Sequence, residues 1–99
     1  MTQTSTSPAD RAKARVATYP TPQLVEALVT VDAAPSSPEN STVRHWLIAE
    51  VERRFPAASD AVEAAFLASE LEEERTGEPA PAVDYVAVLV ANIPASSLI

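Results

Sequence analysis

The sequence predicts an all-α fold, a small bundle of four to five short helices with a flexible N-terminal arm. Hydroxyl-proline pairs stand where helices would begin, at Ser7-Pro8, Thr21-Pro22 and Ser37-Pro38. Each offers a side-chain cap ahead of a proline whose φ is already that of a first helical residue. Large apolar residues recur at three- and four-residue spacing over 43–55, the period of one helix face. No second convincing strand exists for any β-branched run to pair with, and a lone strand leaves its backbone unbonded. The arm is assigned to residues 1–20 and a single helical domain to 21–99.

Within the arm, Ser7 followed by Pro8 and Asp10 predicts a short first helix over about 8–18. Its only large apolar residue is Val16, so it has little to bury and is expected to be marginal or frayed. Tyr19-Pro20-Thr21-Pro22 then breaks the chain and restarts it. Thr21 is read as the cap and Pro22 as the opening of a second helix, with Leu24, Ala27, Leu28 and Val31 on one face. Composition makes 34–38 a loop.

The third helix, about 38–54, has the clearest pattern. With Val43 as origin, Leu47 falls at about 40°, Val51 at about 80°, Phe55 at about 120° and Ile48 at about 140°, one stripe of core-facing width. Pro56 ends it or kinks it, lacking an N–H and pushing Phe55 out of the helical region. The fourth helix, about 57–75, is apolar on two flanks, Val62, Ala65, Phe66 and Ser69 on one, Ala64, Leu67, Ala68 and Leu71 on the other. Asp60, Glu63, Glu70 and Glu74 form its polar wedge. So wide an apolar arc predicts contact with more than one neighbour. Gly77, the only glycine in the chain, stands where a left-handed C-cap is wanted, and Pro79 and Pro81 forbid continuation. Segment 83–93 is β-branched enough for a strand, but Val83, Val86, Leu89, Val90 and Ile93 keep helical spacing, so it is assigned to a short fifth helix.

Composition sets limits on function. The chain has 99 residues, enough for one core. Of its apolar positions, 19 are alanine and 27 carry a larger side chain, so the core is thin and a partner or second copy is expected to cover leftover apolar surface. There is no cysteine, hence no disulfide and no thiolate ligand or nucleophile. No signal-like run and no apolar span of ~20 residues is present, which predicts a soluble cytoplasmic protein without a membrane partner. Six arginines against one lysine, with abundant Ala and Val, suggest GC-rich coding DNA.

The net charge of −7 is unevenly spread. Residues 1–20 hold one acid and three bases, 21–55 five acids and three bases, and 56–99 eight acids with Arg75 alone. A basic head and an acidic tail end suit head-to-tail contact within or between molecules. Glu70, Glu72, Glu73 and Glu74 read either as a solvated helix end or as an acidic patch for a partner. Direct nucleic-acid binding is disfavoured, because the basic segment is short and a phosphate surface calls for a basic stripe.

No catalytic constellation is visible. The single histidine, His45, excludes paired-histidine metal motifs, and one glycine excludes phosphate-cradling loops. His45 and Glu52 share a side of the third helix, yet two ligands from one helix make a weak metal signal, and an exposed or partly packed histidine is the plainer reading. The carboxylates fall on polar wedges, away from the burial that raises a general acid's pKa. No enzymatic activity, cofactor, metal or small-molecule substrate is therefore expected.

The residue that stands out is Trp46. On the same wheel it lies at about 300°, off the core stripe and beside Ala49, Glu50 and Arg53. Its ring is to be covered either by Tyr19 and the 8–22 arm or by a partner. Arg53 and Arg54 are candidates for rim contacts. Trp46, Glu50, Arg53, Leu67 and Leu71 are the predicted partner-binding residues of an interaction module that takes another protein or forms a homodimer. The alternative is an acidic decoy that imitates nucleic acid and inhibits a DNA-binding protein. Against it, duplex DNA spreads its charge along its length, whereas these carboxylates crowd at one helix end.

Val43-Arg44-His45-Trp46-Leu47-Ile48-Ala49-Glu50-Val51-Glu52-Arg53-Arg54-Phe55-Pro56, an Ala-rich helix, and then Asp84-Tyr85-Val86-Ala87-Val88-Leu89-Val90-Ala91-Asn92-Ile93 follow one another. This stretch, residues 43–99, resembles small uncharacterised acidic helical proteins of actinobacteria and their phages. The resemblance brings no activity with it. It implies a cytoplasmic accessory protein of an actinobacterial cell, phage or prophage.

Overall fold

The computed structural model describes residues 7–99. It contains α1 (Pro8–Ala17), α2 (Thr21–Ala33), α3 (Pro38–Arg54), α4 (Pro56–Thr76), α5 (Tyr85–Ala91) and a closing 3-10 turn, Ala95–Leu98, with no strand among the described residues. The all-α class read from the sequence is the observed one. Of the expected arm, residues 1–6 lie outside the described residues, and the rest forms α1 and the turn into α2.

Two of the three start signals act as read. The Asp10 N–H donates to Ser7 Oγ at 3.1 Å and the Asn40 N–H to Ser37 Oγ at 3.0 Å. Thr21 does not cap. The helix begins at Thr21 itself, after Pro20, because the Leu24 N–H that a Thr21 cap would accept already donates to the Pro20 carbonyl at 2.9 Å. The Thr21 hydroxyl instead accepts from Arg54 Nη1 at 3.3 Å.

Phe55 alone separates α3 from α4, at φ −131° and ψ 73°, so α4 opens on Pro56, one residue before the expected start. Gly77 closes α4 at φ 73°, its N–H donating to the Glu73 carbonyl at 2.8 Å. The last helix is shorter than 83–93. Asp84 Oδ1 accepts from the Ala87 N–H at 3.1 Å and fixes its start, while Asn92 Nδ2 donates to the Val88 carbonyl at its end.

α3 is the central element, touching α1, α2 and α4, while α5 lies against α4 and α2. Leu24 and Leu28 from α2, Val51 from α3, Val62 from α4 and Leu89 from α5 are fully buried. Leu47, Ile48, Ala58, Val86 and Ile93 complete the core with Val16, by which α1 packs down onto α3. Val43, the origin of the predicted stripe, is 37% exposed. It stands at the stripe's edge, and beside Pro38, Thr42 and Trp46 it lines a surface groove rather than the core.

Two carboxylates near the end of α3 tie the outer helices to it. Glu50 Oε2 accepts from Arg54 Nε at 2.6 Å, and Arg54 reaches on through Nη2 to the Ala17 carbonyl at 3.1 Å and through Nη1 to Thr21. One guanidinium thus joins the end of α1, the start of α2 and the end of α3. On the other side, Glu52 Oε2 accepts from Ser59 Oγ at 2.7 Å and from the Tyr85 hydroxyl at 2.6 Å, linking α3 to α4 and α5. Among the described residues no buried side-chain polar atom lacks a hydrogen-bond partner.

The molecule is elongated, 63 × 32 × 26 Å with a radius of gyration of 16.4 Å, where a compact chain of this length has about 13 Å. Helix α4 is its longest element, and from Phe66 onward every one of its residues but Ser69 is exposed.

Candidate functional site

The two apolar flanks of α4 have opposite fates. Ala58 and Val62 are buried, and Ala61, Ala65 and Ser69 on the same side are partly covered, the helix packing there on α3 and α5. The other flank, Ala64, Leu67, Ala68 and Leu71, is exposed along its whole length, with Leu67 at 56% and Leu71 at 55%. The wide arc does meet two neighbours, as the sequence implied, but with one flank only. Phe66 stands between the two, 40% exposed, its ring 6.1 Å from that of Tyr85.

The outer flank has the i, i+3, i+4, i+7 pattern of a helix that docks into a groove. Glu63, Glu70 and Glu74 run beside it, all exposed. The rest of the acidic cluster is engaged locally. Glu72 pairs with Arg75, and Glu73 Oε1 accepts from the Ala80 N–H at 3.0 Å.

The second surface lies on α3. Trp46 is half-buried between two grooves, one of about 410 Å³ lined by Pro38, Glu39, Thr42 and Val43, the other of about 310 Å³ towards α1. The latter has walls of Lys13, Val16, His45 and Ala49, with Glu50 and Arg53 at one end. What the arm lays over the indole is the Lys13 ammonium, 5.9 Å from the ring centroid. Tyr19, expected over the indole, is half-buried against the core cluster.

Glu50 and Arg53, both predicted to meet a partner, differ in setting. Glu50 is 8% exposed. Hydrogen bonds from Arg53 hold its carboxyl below the usual range, against the opposing effect of burial, with Arg54 adding to the lowering. It is committed to the clasp that joins α1, α2 and α3. Arg53 stays at the surface with a side chain 67% exposed, its own pKa raised by Glu50.

The groove towards α1 is lined by α1 and α3 alone, so Leu67 and Leu71 form a separate surface from Trp46. His45 is exposed at that groove, while Glu52 is occupied by Tyr85 and Ser59. Beside Glu52 the Tyr85 hydroxyl is pushed up to about 12, chiefly because it donates to the carboxylate and then because it is buried. Among the described residues no three His, Asp or Glu side chains are grouped to hold a metal. Sequence reasoning did not find Lys13 and Val16 as walls of the Trp46 groove. Their i, i+3 spacing on one face of α1 is the signal that was there to use.

Comparison of the chain with protein-family models, with curated proteins and with solved structures gives no match. Among the described residues no helix is long and apolar enough to cross a membrane. Fold and surfaces together define a small all-α protein with one two-sided helix and an aromatic groove.

Proposed function

We propose that the chain is a non-enzymatic protein-interaction module that binds another protein, or a second copy of itself, through the outer flank of α4 and the Trp46 surface. The observation that carries this reading is Leu67 and Leu71, more than half exposed on a flank opposite the one α4 buries. A helix that only closes a core needs one apolar face. The second face has a use when something else covers it, and Trp46 is the kind of large aromatic that anchors interfaces. The resemblance of 43–99 to small actinobacterial and phage proteins is in keeping with an accessory role. The decoy reading has less support, since the carboxylates of α4 are interleaved with leucines and partly paired with Arg75 and the Ala80 N–H.

The test is affinity capture and cross-linking with four baits: wild type, Leu67→Ser with Leu71→Ser, Trp46→Ala, and Val29→Ser as a control at an exposed valine on α2. Binding that survives in the control and is lost in the first two variants, with helical content unchanged, is the expected result. Binding indifferent to both surfaces would overturn the proposal.

A further inference from the structure

We propose that the outer flank of α4 seats in the Trp46 groove of a second copy, so that the chain self-associates head to tail. This rests on the interaction reading and names the partner. The argument is charge complementarity between two surfaces of one chain. The groove offers Val16, Trp46 and Ala49 as an apolar floor, with Lys13, His45 and Arg53 around it. Its one acid, Glu50, is already held by Arg53 and Arg54. The α4 flank offers Leu67 and Leu71 with the exposed row Glu63, Glu70 and Glu74 beside them. Leucines enter the groove, about 310 Å³ in volume, and the glutamates come to lie against its basic rim.

The same charges disfavour the symmetric pairings. Two α4 helices side by side would each bring six carboxylates and a single arginine, Arg75, and like charges facing each other across an interface are repulsive. Two Trp46 grooves face to face would oppose Lys13 and Arg53 to their own copies. Nor does α4 fill its own chain's groove, which is lined by α1 and α3 only. A contact between two different patches is heterologous, so a pair keeps a free flank on one copy and a free groove on the other, and association continues with concentration, as rings or open chains.

Sedimentation velocity over a range of concentrations tests this with two full-length variants. One, Leu67→Ser with Leu71→Ser, spoils the flank; the other, Lys13→Glu with His45→Glu, spoils the groove. All four positions are exposed, so both variants should keep the wild-type circular dichroism. Wild type is expected to grow in mass with concentration and to do so less as salt rises. Each variant alone should be monomeric, and the two mixed should form a dimer of one copy of each that grows no further. Self-association of the groove variant alone would mean flank-to-flank pairing, that of the flank variant alone groove-to-groove pairing, and either overturns the proposal. A wild type monomeric at every concentration overturns it as well. If capture of another protein still depends on Leu67 and Leu71 in that case, the broader interaction reading stands without self-docking.

Discussion

Replacing Arg54 by methionine isolates the clasp on which three helices converge. Methionine keeps most of the alkyl stem, so the change removes the guanidinium with little loss of packing. Three hydrogen bonds disappear: to Glu50 at 2.6 Å, to the Ala17 carbonyl at 3.1 Å and to Thr21 at 3.3 Å. The first is charge-assisted and its acceptor is 8% exposed, which places it at roughly 1.5–3 kcal/mol, with the two weaker bonds adding up to about 1 kcal/mol after water replaces them. Glu50 keeps its bonds to Arg53, which limits the damage. A loss of about 2–3 kcal/mol follows, a large part of the ~5–15 kcal/mol that holds a domain together. Urea unfolding measures it as a lower midpoint at unchanged slope. Arg53→Met is the comparison. It too bonds Glu50, but from a side chain 67% exposed against 17% for Arg54, so solvent competes for it and the midpoint should move far less. The effect depends on pH. With its carboxyl held below the ordinary value, Glu50 stays charged in the folded chain where the unfolded chain binds a proton. The clasp's contribution is therefore complete above the ordinary glutamate pKa and is lost as pH falls through the folded value. In Arg54→Met the folded value rises towards the ordinary one, so that loss should be smaller and should level off at a higher pH. Equal effects of the two arginine substitutions, or a midpoint unmoved by Arg54→Met, would refute the assignment of Arg54 as the tie.

The other expectations concern the core, the Glu52 tie and the Trp46 surface. Leu47→Ala, at 2% exposure, should destabilise by roughly 2–5 kcal/mol, while Val43→Ala, on the same predicted stripe but 37% exposed, should lose less than half as much in the same urea assay. Tyr85 should ionise late, near about 12, as a step in the alkaline ultraviolet titration that Tyr85→Phe abolishes and Glu52→Gln moves down towards about 10. Because the folded pKa is raised, this pair's stabilisation is whole below the ordinary tyrosine pKa and is lost as pH climbs through the folded value. Deleting residues 1–18 removes Lys13 and Val16 from the indole, so Trp46 fluorescence should shift red and become easier to quench. An unchanged spectrum would mean that α1 does not cover the ring.

What was legible in the sequence is what local chemistry decides. Ser7 and Ser37 cap within three residues of themselves, and Gly77 takes a left-handed φ that a β-carbon would strain. The α3 stripe was legible because its 3.6-residue period belongs to the helix itself, but its edge was not. Whether Val43 is covered depends on where α1 and α2 come to rest. Thr21 is not the cap because the helix starts one residue earlier, the Leu24 N–H bonding the Pro20 carbonyl, and the donor its hydroxyl accepts from, an arginine 33 residues further along the chain, is beyond any local pattern. Asp84 was overlooked as a cap because the apolar run around it invited an earlier start. The separation of Glu50 from the open surface could not be seen on a wheel, which places it beside Trp46. Burial under Arg53 and Arg54, and the reach of Arg54 to Ala17, are tertiary facts.

The distal half of α4 is exposed on its outer flank and has little packed against it. An exposed helix end with little packed against it tends to fray, since its last carbonyls and their side chains gain nothing from order. Here the end is secured locally. Arg75 pairs with Glu72, the Gly77 N–H returns to the Glu73 carbonyl, the Glu73 carboxylate takes the Ala80 N–H, and the Thr76 hydroxyl donates to the Glu72 carbonyl. These contacts sit one turn beyond Leu71 and hold the helix formed under the very residues that the body of the protein leaves bare. On the proposed reading that arrangement has a purpose. A docking helix that must fold as it binds gives up part of its contact energy to ordering, and one already formed does not. On that reading the acidic cluster has two duties: Glu72 and Glu73 fasten the end of the helix, and Glu70 and Glu74, on the side of the helix next to the leucines and unclaimed by those bonds, select a basic counterpart.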